Sequence, residues 1–346
     1  MIHATGRIRR GVLAALVLLV LAAPASSPAE SYVFKVATLA PQGIGWSKKF
    51  EQITRPAMTR ATDGELRIKM YWGGIMGDDG DYVRKMRIGQ LHGAAITGLG
   101  ATLVCPEMTV VGLPFMFNGY DEVQHIKDTM YEEFDAYFQK SGHKLVYWVD
   151  QDFDQVYSTK YRMDELEHFS NARLLTWYGP MESRTLEMLG ANPVPVAPPE
   201  VASALRQGII DSLVCPSIWV VGSQSYMVLK YVTPLRMRYA PGMQVFSLDA
   251  WNSLPKRHRD GIMASRRDVE RRFCQESHVE NDRAYKALVD FGVQEVIPEP
   301  GFRDKVREMT RPVWKELAGR EFDPALLDQV MARLEEYRSR NLARNP

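Results

Sequence analysis

The chain has 346 residues, 45% of them hydrophobic, 25% charged and 10% aromatic, a balance that excludes disorder, collagen and coiled coil. Its length suggests two domains, each able to bury its own core. Lys and Arg number 43 against 42 Asp and Glu, so the basic excess that phosphate-backbone binding needs is missing, and nucleic acid is excluded as a partner.

Arg7, Arg9 and Arg10 precede an apolar run from Gly11 to Ala23, followed by small residues and prolines. This pattern reads as a secretory signal over residues 1–29, cut after Ala25 or Ala29. About 13 apolar residues fall short of the roughly 20 that span a bilayer. Cleavage removes three arginines and leaves 40 basic against 42 acidic side chains. The mature chain is therefore expected to be near neutral, soluble, monomeric and periplasmic. Cys105, Cys215 and Cys274 show no C-x-x-C spacing, so zinc is weakly supported; one disulfide and three buried thiols both remain open.

Tyr32 to Thr38 alternates and is rich in β-branched residues, which predicts a strand running into a Pro-Gly loop, with an amphipathic helix from Trp46 to Ala61. A strand over Leu66 to Trp72, a helix over Asp81 to Ile88 and a strand over Gly93 to Thr97 complete an alternation typical of a parallel α/β sheet. A helix from Asp121 to Ser141 and a strand from Lys144 to Trp148 follow. The pattern restarts with strands at Ala172 to Trp177, Val194 to Ala197 and Ile209 to Cys215, separated by helices over Ser183 to Leu189 and Pro199 to Gln207. A strand over Met243 to Asp249 then leads to an unusually long helix from Pro255 to Leu288. Helices from Phe302 to Leu317 and from Pro324 to Leu342 close the chain, the last with Arg and Glu at the spacing of a solvated face.

The chemistry expected of an enzyme is not visible. The histidines are scattered, and no H-E-x-x-H, G-x-S-x-G or P-loop is present. Asp78 and Asp79 lie in a Gly-rich turn, where helix capping accounts for them better than a metal does. An exported α/β protein of two lobes without a nucleophile–base pair points to a receptor that buries its ligand between lobes, without a cofactor. An exported hydrolase with a triad assembled from distant residues is the rival from another class.

Several stretches carry a resemblance: FKVATLAPQGIGW, YWGGIMGDDGDYVRKMRIGQLHGA, GLPFMFNGYDEV and, most specific, GANPVPVAPPEVASALRQGIIDSLVCP from Gly190 to Pro216. In these the chain resembles the DctP-like solute receptors of TRAP-type (tripartite ATP-independent periplasmic) transporters. The resemblance implies a two-lobed α/β periplasmic binding protein fold with hinge strands near residues 150 and 240, a long lobe-spanning helix, and delivery of the ligand to an inner-membrane transporter. The lobes are expected to comprise residues 30–151 with 241–281, and 152–240 with 282–346.

The resemblance also implies an arginine that grips a ligand carboxylate, about fifteen residues before the Gly of G-A-x-P. Counting back from Gly190 places Leu175 there. Arg173 lies two residues earlier, about 6–7 Å along a strand. Asp154 stands where many relatives have a second arginine, and Cys215 where they have an asparagine. On that reading the anion clamp is lost, and a hydrophobic or lipid-like ligand such as a sterol or fatty compound is expected. It would be lined by Trp46, Phe153, Leu175, Trp177, Cys215 and Trp219, with Thr38, Thr97, Tyr120, Asp154 and Asn192 as candidates for its polar group. The alternative is a small organic acid held by Arg173 or Arg184.

Overall fold

The computed structural model describes residues 31–177 and 179–344. Two mixed sheets form its framework. The first contains β1 (Tyr32–Thr38), β2 (Leu66–Tyr71), β3 (Gly93–Ile96), β4 (His143–Phe153) and β10 (Tyr239–Ser247) in the order β2-β1-β3-β10-β4. The second contains β5 (Gln155–Ser158), β6 (Arg173–Thr176), β7 (Asn192–Pro195), β8 (Ser212–Cys215), β9 (Tyr231–Thr233) and β11 (Gln294–Glu295) in the order β11-β9-β5-β8-β6-β7. β1 is parallel to both β2 and β3, as the strand–helix alternation predicts. β6 is likewise parallel to β7 and β8. Pro193 and Pro195 fall on β7, an edge strand, where a missing N–H interrupts no ladder on the open side.

The chain leaves the first sheet at Phe153 and enters the second at Gln155, then returns between Thr233 and Tyr239. The predicted hinge strands are these crossings. Where β10 passes β4 the register slips between Ala240 and Pro241. Proline is tolerated there because β3 pairs only with Met243 to Phe246, beyond the slip. The long helix runs from Lys256 to Phe291, 36 residues and so about 54 Å. It packs on β4 and on the short helix Ser217–Gly222, one from each half, and this two-lobed α/β architecture is the one the sequence implied.

Two differences have plain causes. The terminal helix Pro324–Arg344 packs on the helix Tyr120–Lys140 of the first half and buries Leu326, Val330 and Leu334. Its apolar stripe is narrow, which is why the sequence read as solvated, and its placement differs from the expected grouping of 282–346 with the second lobe. The helix Trp46–Lys49 continues without a break through a π-helical segment, Phe50–Thr54, into Arg55–Ala61. Cys105, Cys215 and Cys274 are all free and buried.

Candidate ligand-binding cleft

A cavity of about 750 Å³ opens where the carboxyl ends of the parallel strands of both sheets meet, the position at which open α/β sheets receive ligands. The first half contributes Thr38 and the loop after β1, Trp46, Phe50, Trp72 and Thr97. The second half contributes Thr176 and Trp177 at the end of β6, the proline-rich segment after β7, and Trp219. Tyr147, Gln151 and Gln244 on the crossing strands form the back, with Phe273 and Glu280 of the long helix. Trp177 and Trp219 pack edge to face at 4.5 Å between ring centres and form an aromatic wall.

Local sequence explains these placements. Gly45 has φ +56°, and a Cβ there would lie 3.2 Å from the Ile218 side chain, so glycine is what lets the first-half loop approach the second half. Asp78 caps the helix Asp79–Arg87 in a reciprocal box with Asp81. Gly77 admits that box, since a Cβ on it would overlap the Asp81 carboxylate. Capping therefore accounts for Asp78 as expected, but Asp79 turns inward. It is 1% exposed, lines the cavity, and accepts hydrogen bonds from the Thr97 amide at 3.3 Å and the Thr97 hydroxyl. Burial pushes its carboxyl up to about 6 against those bonds.

Of the residues expected from sequence, Thr38, Trp46, Thr97, Trp177 and Trp219 line the cavity. The other six lie elsewhere. Leu175, 1% exposed, and Cys215 are packed together in the second-half core beneath the tryptophan wall. Phe153 is buried among Tyr120, Tyr239 and Arg236. Tyr120 donates its hydroxyl to Asp152 and stacks on His278. Asp154 is fully buried and accepts from Arg238 Nε at 2.8 Å. Asn192 is exposed at the far end of edge strand β7. Arg173 is paired with Asp211 at 3.3 Å with its side chain 49% exposed, and Arg184 is bridged to Glu187 and Glu316; neither lines the cavity. Sequence reasoning assigned Asp79 to capping and passed over Gln151, Gln244 and Glu280; Gln151 and Gln244 lie on the crossing strands and Glu280 within the long helix, where nothing in the local pattern marks them.

The family of bacterial extracellular solute-binding proteins, family 7 (DctP), has a model that matches residues 36–321. The chain belongs to this family. Family 7 proteins are solute receptors, not enzymes, so the hydrolase rival falls. The C4-dicarboxylate-binding periplasmic protein DctP of Rhodobacter capsulatus is 24% identical over 320 residues, covering 89% of this chain and 90% of its own. The sugar acid binding protein DctPAm of Advenella mimigardefordensis, solved with galactonate, superposes with a TM-score of 0.82 at 18% identity, over 89% of this chain and 99% of its own. A TRAP periplasmic solute-binding protein of Haemophilus influenzae, solved with L-gulonate, gives 0.81 at 18%, over 88% and 99%.

The expectation of a lipid-like ligand is overturned. These relatives of the family bind organic acids. The expectation rested on Leu175, Asp154 and Cys215 facing the ligand, and all three are buried outside the cavity. Their chemistry is therefore silent on what the cavity accepts.

Proposed function

We propose that this family 7 protein is a periplasmic receptor that closes around a small, hydroxylated organic acid and delivers it to a TRAP-type transporter in the inner membrane. The observation that carries the choice of ligand is the make-up of the cavity lining, in which Thr38, Thr97, Gln151 and Gln244 stand among aromatic and apolar side chains, as hydroxylated acids of the kind its relatives bind require. A polyhydroxy acid offers oxygens and hydroxyl protons to the polar side chains of the lining, and Gln151 and Gln244 can each donate or accept. The aromatic wall of Trp177 and Trp219 then covers the carbon skeleton, as aromatic side chains commonly do in sites for hydroxylated ligands.

The acids bound by the relatives supply the probes. L-gulonate, galactonate, a C4-dicarboxylate and D-glucuronate, the last bound by a TRAP periplasmic solute-binding protein of Chromohalobacter salexigens, each added at millimolar concentration, are to be followed by thermal unfolding and tryptophan emission. At least one should raise the melting temperature saturably by several degrees, since ligand at 100 times its Kd adds about 2.7 kcal/mol. Trp177→Ala should reduce that shift. If none of the acids moves either signal, the ligand class is wrong.

A further inference from the structure

The cavity poses a problem of charge. An acid bears a carboxylate, yet the residues lining the cavity include Asp78, Asp79 and Glu280 and, among the described residues, no Lys, Arg or His. One buried cation touches that lining from behind. Lys49 is 3% exposed and its Nζ is hydrogen bonded to the Glu280 carboxylate. It stands on the helix whose Trp46, Ser47 and Phe50 all line the cavity. Trp46 precedes it by three residues, so the two side chains share one face of that helix.

The two members of the ion pair are unequally placed. The Lys49 side chain is 4% exposed, whereas that of Glu280 is 37% exposed. Glu280 can rotate to water without losing much solvation, and Lys49 cannot follow it. The chain also turns π-helical directly after Lys49, at Phe50–Thr54, a local irregularity that is more often met at functional sites than in plain structural helices.

We propose that Lys49 is the anchor for the ligand's carboxylate and that Glu280 is the counter-ion the ligand replaces. This rests on the reading of the chain as an organic-acid receptor. The exchange sets one carboxylate in the place of another, so the charge around the ammonium is conserved while the incoming acid gains a charge-assisted hydrogen bond. Burial pushes the Lys49 amine down to about 8, with Glu276 opposing, so the lysine is held at a cost that packing alone would not require.

The test is calorimetric titration of the purified protein with the same four acids. If wild type binds none of them, the receptor reading fails and the anchor fails with it. For an acid that wild type binds, Lys49→Met should weaken affinity at least 50-fold while melting no lower than wild type, and Lys49→Arg should recover part of the loss. Glu280→Gln should tighten binding several-fold, because a competing anion is gone. Wild-type affinity in Lys49→Met, or affinity in Glu280→Gln at or below wild type, overturns the assignment and leaves the receptor reading standing. Should Lys49→Met not fold, the Glu280→Gln result alone decides.

Discussion

Asp79 is a carboxylate in a place that disfavours charge, and its behaviour follows from two opposed effects. Burial raises it to about 6, while the Thr97 amide and hydroxyl hold part of the ionised form in place. An acid whose pKa is raised on folding contributes stability that is fully present below the unfolded value of 3.8 and is lost as pH rises through about 6. Above that range the folded protein carries a strained anion. Asp79→Asn keeps an acceptor for Thr97 and removes the charge. It should therefore be more stable than wild type at pH 7.5, by about 1–3 kcal/mol, and the gain should vanish near pH 4. Urea unfolding at the two pH values checks this; equal gains at both would mean that the charge is not the cause. A position so maintained against stability fits a residue kept for the ligand.

At the scale of elements, period and punctuation carried far. β1 was read at its observed limits, and the helix from Trp46 to Ala61 and the long helix were read within a few residues. What the pattern could not supply was facing. β6 is covered on both sides, so Leu174 and Leu175 are equally buried and alternation marks no cleft side. Only its last residue, Thr176, and Trp177 beyond it line the cavity. Counting back from a motif thus found the right strand and the wrong level on it. The loop after β1 was more legible, because its glycines and proline announce a turn at a strand end. Gly45 in that loop is tested directly. A Cβ there strains a left-handed backbone and presses on Ile218 across the cleft, so Gly45→Ala should cost about 1 kcal/mol in folding. It should also weaken acid binding several-fold more than that loss of stability accounts for, as the ratio of affinities at a temperature well below melting will show.

The whole molecule depends on how charge is buried where the halves join. Asp150 lies on β4 near the crossing, and Lys127 Nζ at 3.1 Å, His278 Nε2 at 2.9 Å and the Tyr239 hydroxyl at 2.7 Å converge on it from two helices and the neighbouring strand. Burial alone would raise this carboxyl, but Lys127, His278 and Tyr239 overcome it and hold the group below the usual carboxylate range. Two residues along the strand, Asp152 lacks a cation at bonding distance among the described residues, and burial pushes it up to about 6 despite the Tyr120 hydroxyl. The crossing is therefore stabilised by one satisfied carboxylate beside one that resists ionisation. Lys127→Met should leave Asp150 with only His278 and Tyr239 as side-chain partners, destabilising the fold by about 3 kcal/mol. Because Lys127 comes from the helix Tyr120–Lys140, His278 from the long helix and Tyr239 from β10, the loss should be felt by both halves together. Unfolding followed by near-ultraviolet and by far-ultraviolet circular dichroism should shift to lower denaturant as a single coincident transition. Two separated transitions would show that the halves are coupled elsewhere, and that the Asp150 cluster serves only the first.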